Sequence, residues 1–352
     1  DLKTERPMLR RLIIESILYW MTEYHVDGFR FDLSTLIDWQ TIEEIIREAK
    51  KINPNVVLIG EAWGGGGYSP DGFSQRGWAA WNDQIRNGIK GENPIDGRGW
   101  IFGKWQGNNS QKRIKSYVNG TLVNDEFGLF QRKEHSVNYF ESHDGYTLGD
   151  FIRIGSQEVG AKQVISNLDK HVKLSEDQMK LNKLAALFLL TSQGITMIAE
   201  GQEFARSKVI YNQLGVHDTT KGRIDHNAYN KDNETNYINY KHAKINKELV
   251  DYYKGLIEIR KTFAAFRRAD YNEIAFFGHQ DELGLAYLVK YHDESFVVVF
   301  NADQERKLEF PLPPHGTWEV IADKNSAGIK PLYEITDKIK LEPVTGAILK
   351  LK

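Results

Sequence analysis

The 352 residues contain no cysteine at all. Disulfides, thiolate zinc sites, iron–sulfur ligation and cysteine nucleophiles are therefore excluded, while the compartment stays open because reducing and oxidising locations both permit such a chain. No apolar stretch approaches the roughly 20 residues of a membrane span. An excess of one charge is also lacking: 46 Lys and Arg stand against 48 Asp and Glu, a formal net charge of −2, with no long basic run. Nothing in that balance recommends nucleic acid as a partner. Charged residues at 27% and hydrophobic residues at 41% are ordinary globular usage, which excludes a wholly disordered chain or a collagen-like fibre.

At roughly 150 residues per domain, the length predicts two domains. Glu5 to Tyr24 places Leu9, Leu12, Ile13, Ile17, Leu18 and Trp20 at helical spacing, with Pro7 where a first turn tolerates it. A short strand through Val26–Phe31 ends at Asp32, helical spacing runs over 42–51 until Asn53-Pro54, and the apolar run Val56–Gly60 ends at Glu61. Two further strands are expected at Val137–Phe140, before Glu141-Ser142-His143-Asp144, and at Ile195–Ile198, before Glu200, with a long amphipathic helix over 178–193 between them. Helices alternating with strands predict a parallel sheet with crossover connections. The Gly- and Trp-rich segment 64–130 predicts long loops with one short element near 78–89. From about Tyr271 the pattern changes to short alternating runs separated by turn residues such as Pro311, Pro313-Pro314 and Gly316, which predicts an all-β sandwich.

Three strands thus end in an acid: Asp32, Glu61 and Asp144. In a parallel barrel the carboxyl ends of strands converge on the face where barrel enzymes place their sites. Alternation puts Arg30 and Asp32 on one side of their strand and Phe29 and Phe31 on the other, so the guanidinium can hold Asp32 ionised. An ionised carboxylate held in that way suits a nucleophile. Any single strand-end acid is more often a cap or a surface ion pair; three in this order are harder to assign to that.

Asp27-Gly28-Phe29-Arg30-Phe31-Asp32, Gly60-Glu61-Ala62-Trp63 and Glu141-Ser142-His143-Asp144 resemble the strand-end motifs of the α-amylase superfamily of glycoside hydrolases. Asn138–Leu148, Gly77-Trp78-Ala79-Ala80-Trp81-Asn82-Asp83 and the opening Asp1–Pro7 are more similar to the pullulanase, isoamylase and glycogen-debranching group than to plain α-amylases. The similarity covers roughly Asp1 to Phe266, with a terminal β-domain of the expected kind behind it. The resemblance implies an α/β fold made of the C-terminal part, strands four to eight, of a (β/α)₈ TIM barrel over 1–268, followed by an all-β sandwich domain over 269–352. It implies Asp32 as nucleophile, Glu61 as general acid/base and Asp144 as the third carboxylate, with Arg30 and His143 as ligands of the −1 subsite. Retention by double displacement then needs the nucleophile and acid carboxyls about 5–5.5 Å apart and a proton held on the acid near neutral pH.

The family's Asp-x-x-x-Asn-His motif at the third strand is absent, and five strands alone would leave open edges. The expectation is an N-terminal barrel half on a longer native protein or on another chain, with any export signal upstream of Asp1. No metal or organic cofactor is needed for the chemistry; a calcium site, where the family carries one, would have its ligands in that absent half. The implied partner is an α-glucan oligo- or polysaccharide with α-1,6 branches. An α-1,4-acting amylase or neopullulanase is the alternative within enzymes, and a non-catalytic glucan-binding protein with an inherited barrel is the alternative from another class.

Five of the eight Trp lie between Trp63 and Trp105, with Tyr68 and Phe73 among them, and sugar rings stack on such faces. Trp63, beside Glu61, and Tyr68 are the platform candidates; Trp78 and Trp81, three apart, fit equally well a buried face of a short helix. Gly64 to Gly67 lacks the Lys-Ser/Thr of a phosphate loop and reads as a flexible loop. His25, His135, His171 and His217 show no metal-ligand spacing. Glu200 and Glu203 read as structural acids, and 225–233 resembles a cleft-lining loop of the debranching group.

Overall fold

The computed structural model describes residues 2–65, 67–105, 109–211, 219–278, 281–314 and 316–352. Gly66 of the glycine loop, His217 and Asp1 of the opening motif lie outside the described residues. The structure is mixed α/β and divides into two compact units, Asp1–Asp83 with Gly120–Asn138, and Gln84–Asn119 with Tyr139–Lys352.

The first unit holds four parallel strands, Gly28–Phe31, Val57–Gly60, Ala79–Asn82 and Ser136–Asn138, in that spatial order. Phe29 pairs with Leu58, Ile59 with Ala79, and Trp81 with Val137. Helix Pro7–Glu23 begins with proline at its first turn, where no backbone donor is lost. It packs on helix Trp39–Ile52, whose cap Asp38 accepts the Thr41 N–H at 3.1 Å and pairs with Arg10. Of the apolar residues at helical spacing on the first helix, Ile17 is buried, together with Met21, whereas Leu12 and Trp20 are exposed. Phe31 reaches Trp78 at 4.8 Å between ring centroids and Phe73 reaches Trp39 at 5.1 Å, which seals the core beneath the second and third strands.

The expected helix face for Trp78 and Trp81 is replaced by a strand: the β-type pleat over 79–82 turns Ala79 and Trp81 to one face and Ala80 and Asn82 to the other. Asn82, fully buried, donates from Nδ2 to Thr121 Oγ1 at 2.8 Å and Ser136 Oγ at 2.9 Å, so its amide is paired inside the core. Helices at Asp71–Gln75, Asp83–Ile89 and Gln111–Val118 also occupy a segment expected to be mainly loop. Within the glycine loop Gly64 is closely packed, since a Cβ there would meet Thr35 Oγ1 at 1.9 Å.

In the second unit, helix Glu176–Thr191 carries a capping box between Ser175 and Gln178 and buries most of its circumference. Its low amphipathicity follows from that: a helix apolar all round is packed on every side. Phe188 meets Trp100 and Phe300 at 5.6 and 5.5 Å, so one core runs from this helix and helix Lys247–Thr262 into the inner face of an antiparallel sheet. That sheet has six strands, in the order Tyr333–Ile335, Trp318–Ala322, Thr345–Leu351, Glu294–Asn301, Gly284–Tyr291 and Ile274–Phe276. Its other face packs with the two-stranded ribbon Leu308–Pro311 and Lys338–Leu341 around Phe310, Trp318 and Val299. Among the described residues no helix is long and apolar enough to cross a membrane.

Candidate active site

The strand Gly28–Phe31 ends at Asp32 and its parallel neighbour Val57–Gly60 ends at Glu61, so in-register pairing of Phe31 with Gly60 sets the two acids side by side at one end of the sheet. Arg30, two residues before Asp32, points to the same face. Its Nη1 lies 2.7 Å from Asp32 Oδ1 and its Nη2 lies 3.1 Å from Glu61 Oε1, so one guanidinium holds both carboxylates. The guanidinium lies over the Trp81 ring at 4.3 Å, on the face that the strand conformation of 79–82 supplies.

The two acids differ in surroundings. The Asp32 side chain is 71% exposed and that of Glu61 only 11%. Glu61 Oε2 accepts the Leu33 N–H at 2.8 Å, and its own carbonyl accepts both the Ser34 N–H and the Ser34 hydroxyl. One carboxylate is thus open to a ligand from outside, while the other is anchored by the turn that follows its neighbour.

Trp63 and Tyr68 also come together, with ring centroids 5.6 Å apart. Trp63 donates its indole N–H to Asp83 Oδ2 at 2.7 Å. Tyr68 donates its hydroxyl to the Trp81 carbonyl at 2.8 Å and accepts the Asp83 N–H at 3.2 Å, which ties the loop after Glu61 to the end of the third strand. Trp63 remains 38% accessible. Sequence assigns Asp83 no role and leaves Trp81 between a sugar-stacking face and a buried helix face; the signal for both is the string Gly77–Asp83 read as a strand end.

In the second unit, His143 and Asp144 sit on the turn between Glu141 and helix Leu148–Gly155. His143 Nε2 is 3.5 Å from Asp144 Oδ2, and both side chains are close to half exposed. Asp144 and Gly145 donate their N–H groups to Ser142 Oγ and Asn227 Oδ1, each at 3.3 Å, and Gly145 takes φ of +70°, a conformation open to glycine. Asn227 belongs to the loop 225–233.

Glu141, just before them, is fully buried, and burial pushes its carboxyl up to about 7 against the pull of the Leu148 N–H and of Lys208, Arg206 and Lys90. Asp150, equally buried, is held below the usual carboxylate range: the burial cost is outweighed by His171, Arg153, Ser207 and the Lys208 N–H. His171 is thereby paired with Asp150 and Ser207, and His135 with Ser74. Glu200 accepts the Tyr240 hydroxyl and Glu203 the Gly201 N–H at 3.0 Å.

No protein-family model matches the chain. It is 28% identical over 277 residues to the pullulanase of Bacillus subtilis (strain 168), an alignment covering 76% of this chain and 34% of that protein. Pullulanase A of Streptococcus pneumoniae is 26% identical over 99% of this chain and 30% of its own length, and the isoamylase of a Flavobacterium species 26% identical over 76% and 35%. The chain spans about a third of the length of these curated relatives. Among solved structures, the pullulanase from Bacillus acidopullulyticus superposes with a TM-score of 0.82 at 27% identity, over 99% of this chain and 41% of that one. The pullulanase of Anoxybacillus sp. LM18-11 complexed with maltotetraose gives 0.78 at 27%, over 99% and 47%. The homologues are pullulanases, isoamylases and glycogen debranching enzymes, and the structural neighbours are pullulanases. Over most of its length the chain is similar to a region of these enzymes.

Proposed function

We propose that this chain is the C-terminal part of the catalytic (β/α)₈ barrel, over 1–268, with a β-sandwich domain over 269–352, of a retaining hydrolase that cleaves α-1,6 branch linkages of α-glucans such as pullulan, glycogen and starch. The observation that carries the reading is the single guanidinium of Arg30 bridging Asp32 and Glu61 at the ends of adjacent parallel strands. A second support is that the relatives over this region bear the names pullulanase, isoamylase and glycogen debranching enzyme.

In the reaction so proposed, Asp32 attacks the anomeric carbon as Glu61 gives its proton to the departing glycosidic oxygen; Glu61 then takes a proton from water, and that water's oxygen displaces Asp32 from the covalent glycosyl intermediate. Asp144 and His143 bind the sugar of the −1 subsite, Arg30 pairs with and orients the Asp32 carboxylate, and Trp63 with Tyr68 forms a face for a sugar ring. No metal or organic cofactor enters these steps.

The test is a pullulan digest by the full-length native protein. Maltotriose as the product supports α-1,6 cleavage. Panose identifies an α-1,4-acting enzyme instead; undigested pullulan points to an isoamylase-like preference, an incomplete barrel or a glucan-binding protein, and binding of glycogen with no product identifies the last.

A further inference from the structure

The catalytic reading leaves a buried carboxylate and a buried ammonium without a role, and both act on one short turn. Glu141 is 1% exposed and Lys208 3% exposed. Glu141 Oε2 accepts the Leu148 N–H at 2.8 Å, the first backbone donor of helix Leu148–Gly155, which no helical carbonyl can satisfy. This bond joins the residues on either side of Ser142–Thr147 and closes the six-residue turn that carries His143 and Asp144. Lys208 Nζ donates to the His143 carbonyl at 3.0 Å, while its own N–H is held by Asp150 Oδ2 at 2.8 Å. Thr147, the last residue of the turn, caps the helix by accepting the Asp150 N–H at 2.9 Å and donates its hydroxyl to the Arg206 carbonyl at 2.7 Å.

The remaining Glu141 oxygen, Oε1, is buried and makes no hydrogen bond among the described residues. A group buried at such cost without full pairing is unusual in a core that needed it only for packing, where a Leu or Gln would serve. Its other oxygen is used instead as an acceptor for one backbone donor at the root of the turn.

We propose that Glu141 and Lys208 are positioning residues for Asp144: Glu141 clamps the two ends of the Ser142–Thr147 turn, Lys208 fixes its His143 carbonyl, and together they set where the Asp144 carboxylate meets the sugar. This rests on the function proposed above. Misplacement of a group by about 1 Å is enough to cost roughly a hundredfold in rate without loss of binding elsewhere on a long substrate. The clamp therefore acts on kcat more than on KM.

The experiment compares Glu141→Ala, Glu141→Gln and Lys208→Met in the full-length native protein, each alone and combined with Asp144→Asn, by steady-state turnover of pullulan. Glu141→Ala is expected to lower kcat by at least about tenfold with KM within about threefold, and Glu141→Gln, whose amide oxygen still accepts the Leu148 N–H, to recover most of it. In the Asp144→Asn background neither Glu141→Ala nor Lys208→Met should lower the residual rate further, because the group they position is already lost. Equal factors in both backgrounds, or single variants within about twofold of wild type, overturn the proposal. If Glu141→Ala fails to fold, Lys208→Met in the two backgrounds decides by the same rule. A wild-type protein that turns over no α-glucan refutes the functional reading separately. In that case hydrogen exchange of the Leu148 amide decides the clamp: at least about tenfold faster exchange in Glu141→Ala or Lys208→Met upholds it, and unchanged exchange overturns it.

Discussion

Arg30 reaches Asp32 through Nη1 at 2.7 Å and Glu61 through Nη2 at 3.1 Å, so two carboxylates that differ in exposure share one cation. The planar guanidinium matters because its Nη1 donates to Asp32 while its Nη2 stays at ion-pair distance from Glu61, an arrangement that the single point charge of an ammonium does not reproduce. Arg30→Lys is expected to lower turnover of an α-1,6-linked glucan by about a hundredfold or more. Circular dichroism should remain as in wild type, since Arg30 lies at the strand end and not within the Phe31–Trp78 packing. Turnover within about threefold of wild type would remove Arg30 from the machinery.

The carboxylates themselves give a second expectation. Asp32→Asn removes the proposed nucleophile while keeping shape and the hydrogen-bonding oxygen, and turnover should fall by at least about a thousandfold. Proton NMR of the freshly released reducing end should show the α-anomer in wild type, because two displacements restore the starting configuration. Initial release of the β-anomer would mean a single displacement and no covalent role for Asp32.

The Trp63 ring is held by its N–H bond to Asp83 and by the tilted Tyr68 ring beside it. Such an anchored aromatic binds a sugar face with little ordering cost. Trp63→Ala is expected to raise KM for a branched maltooligosaccharide carrying an α-1,6 linkage by about tenfold, corresponding to about 1.4 kcal/mol, with a smaller change in kcat. A fall in kcat with KM unchanged would move Trp63 from ligand platform to support of the third strand's end.

Much of this was legible from residue spacing. The Arg30–Asp32 relation follows from period two along a strand, and the Phe31–Gly60 register that brings Glu61 alongside follows from two short apolar runs each ending in an acid. The strand at Ala79–Asn82 was not legible, because its four residues combine small side chains with a buried Asn whose partners, Thr121 and Ser136, lie 39 and 54 positions away. Local propensity carries no trace of such pairing. Met21 and Ile17 facing inward while Leu12 and Trp20 face out is equally a matter of what the helix packs on, which apolar spacing does not specify. The role of Glu141 was hidden inside a motif whose neighbours carried the attention; only burial and the Leu148 bond single it out.

Glu141 also sets a pH dependence that can be signed. Burial raises its carboxyl from 4.5 to about 7, with Lys90, Arg153, Arg206, Lys208 and the Tyr253 hydroxyl as the surrounding titratable groups. Below about pH 4.5 the folded and unfolded states both hold the proton, and the contribution of the neutral carboxyl is fully present. As pH rises through about 7 the unfolded chain has already released its proton while the folded one must ionise a buried group, so stability is lost, by about 3 kcal/mol in all. Glu141→Gln carries no such titration. Its unfolding midpoint in urea should therefore gain on that of wild type between pH 5 and pH 8, whatever the offset between them at pH 5. Parallel midpoints across that window would mean that Glu141 ionises in the folded protein as an ordinary surface carboxylate does.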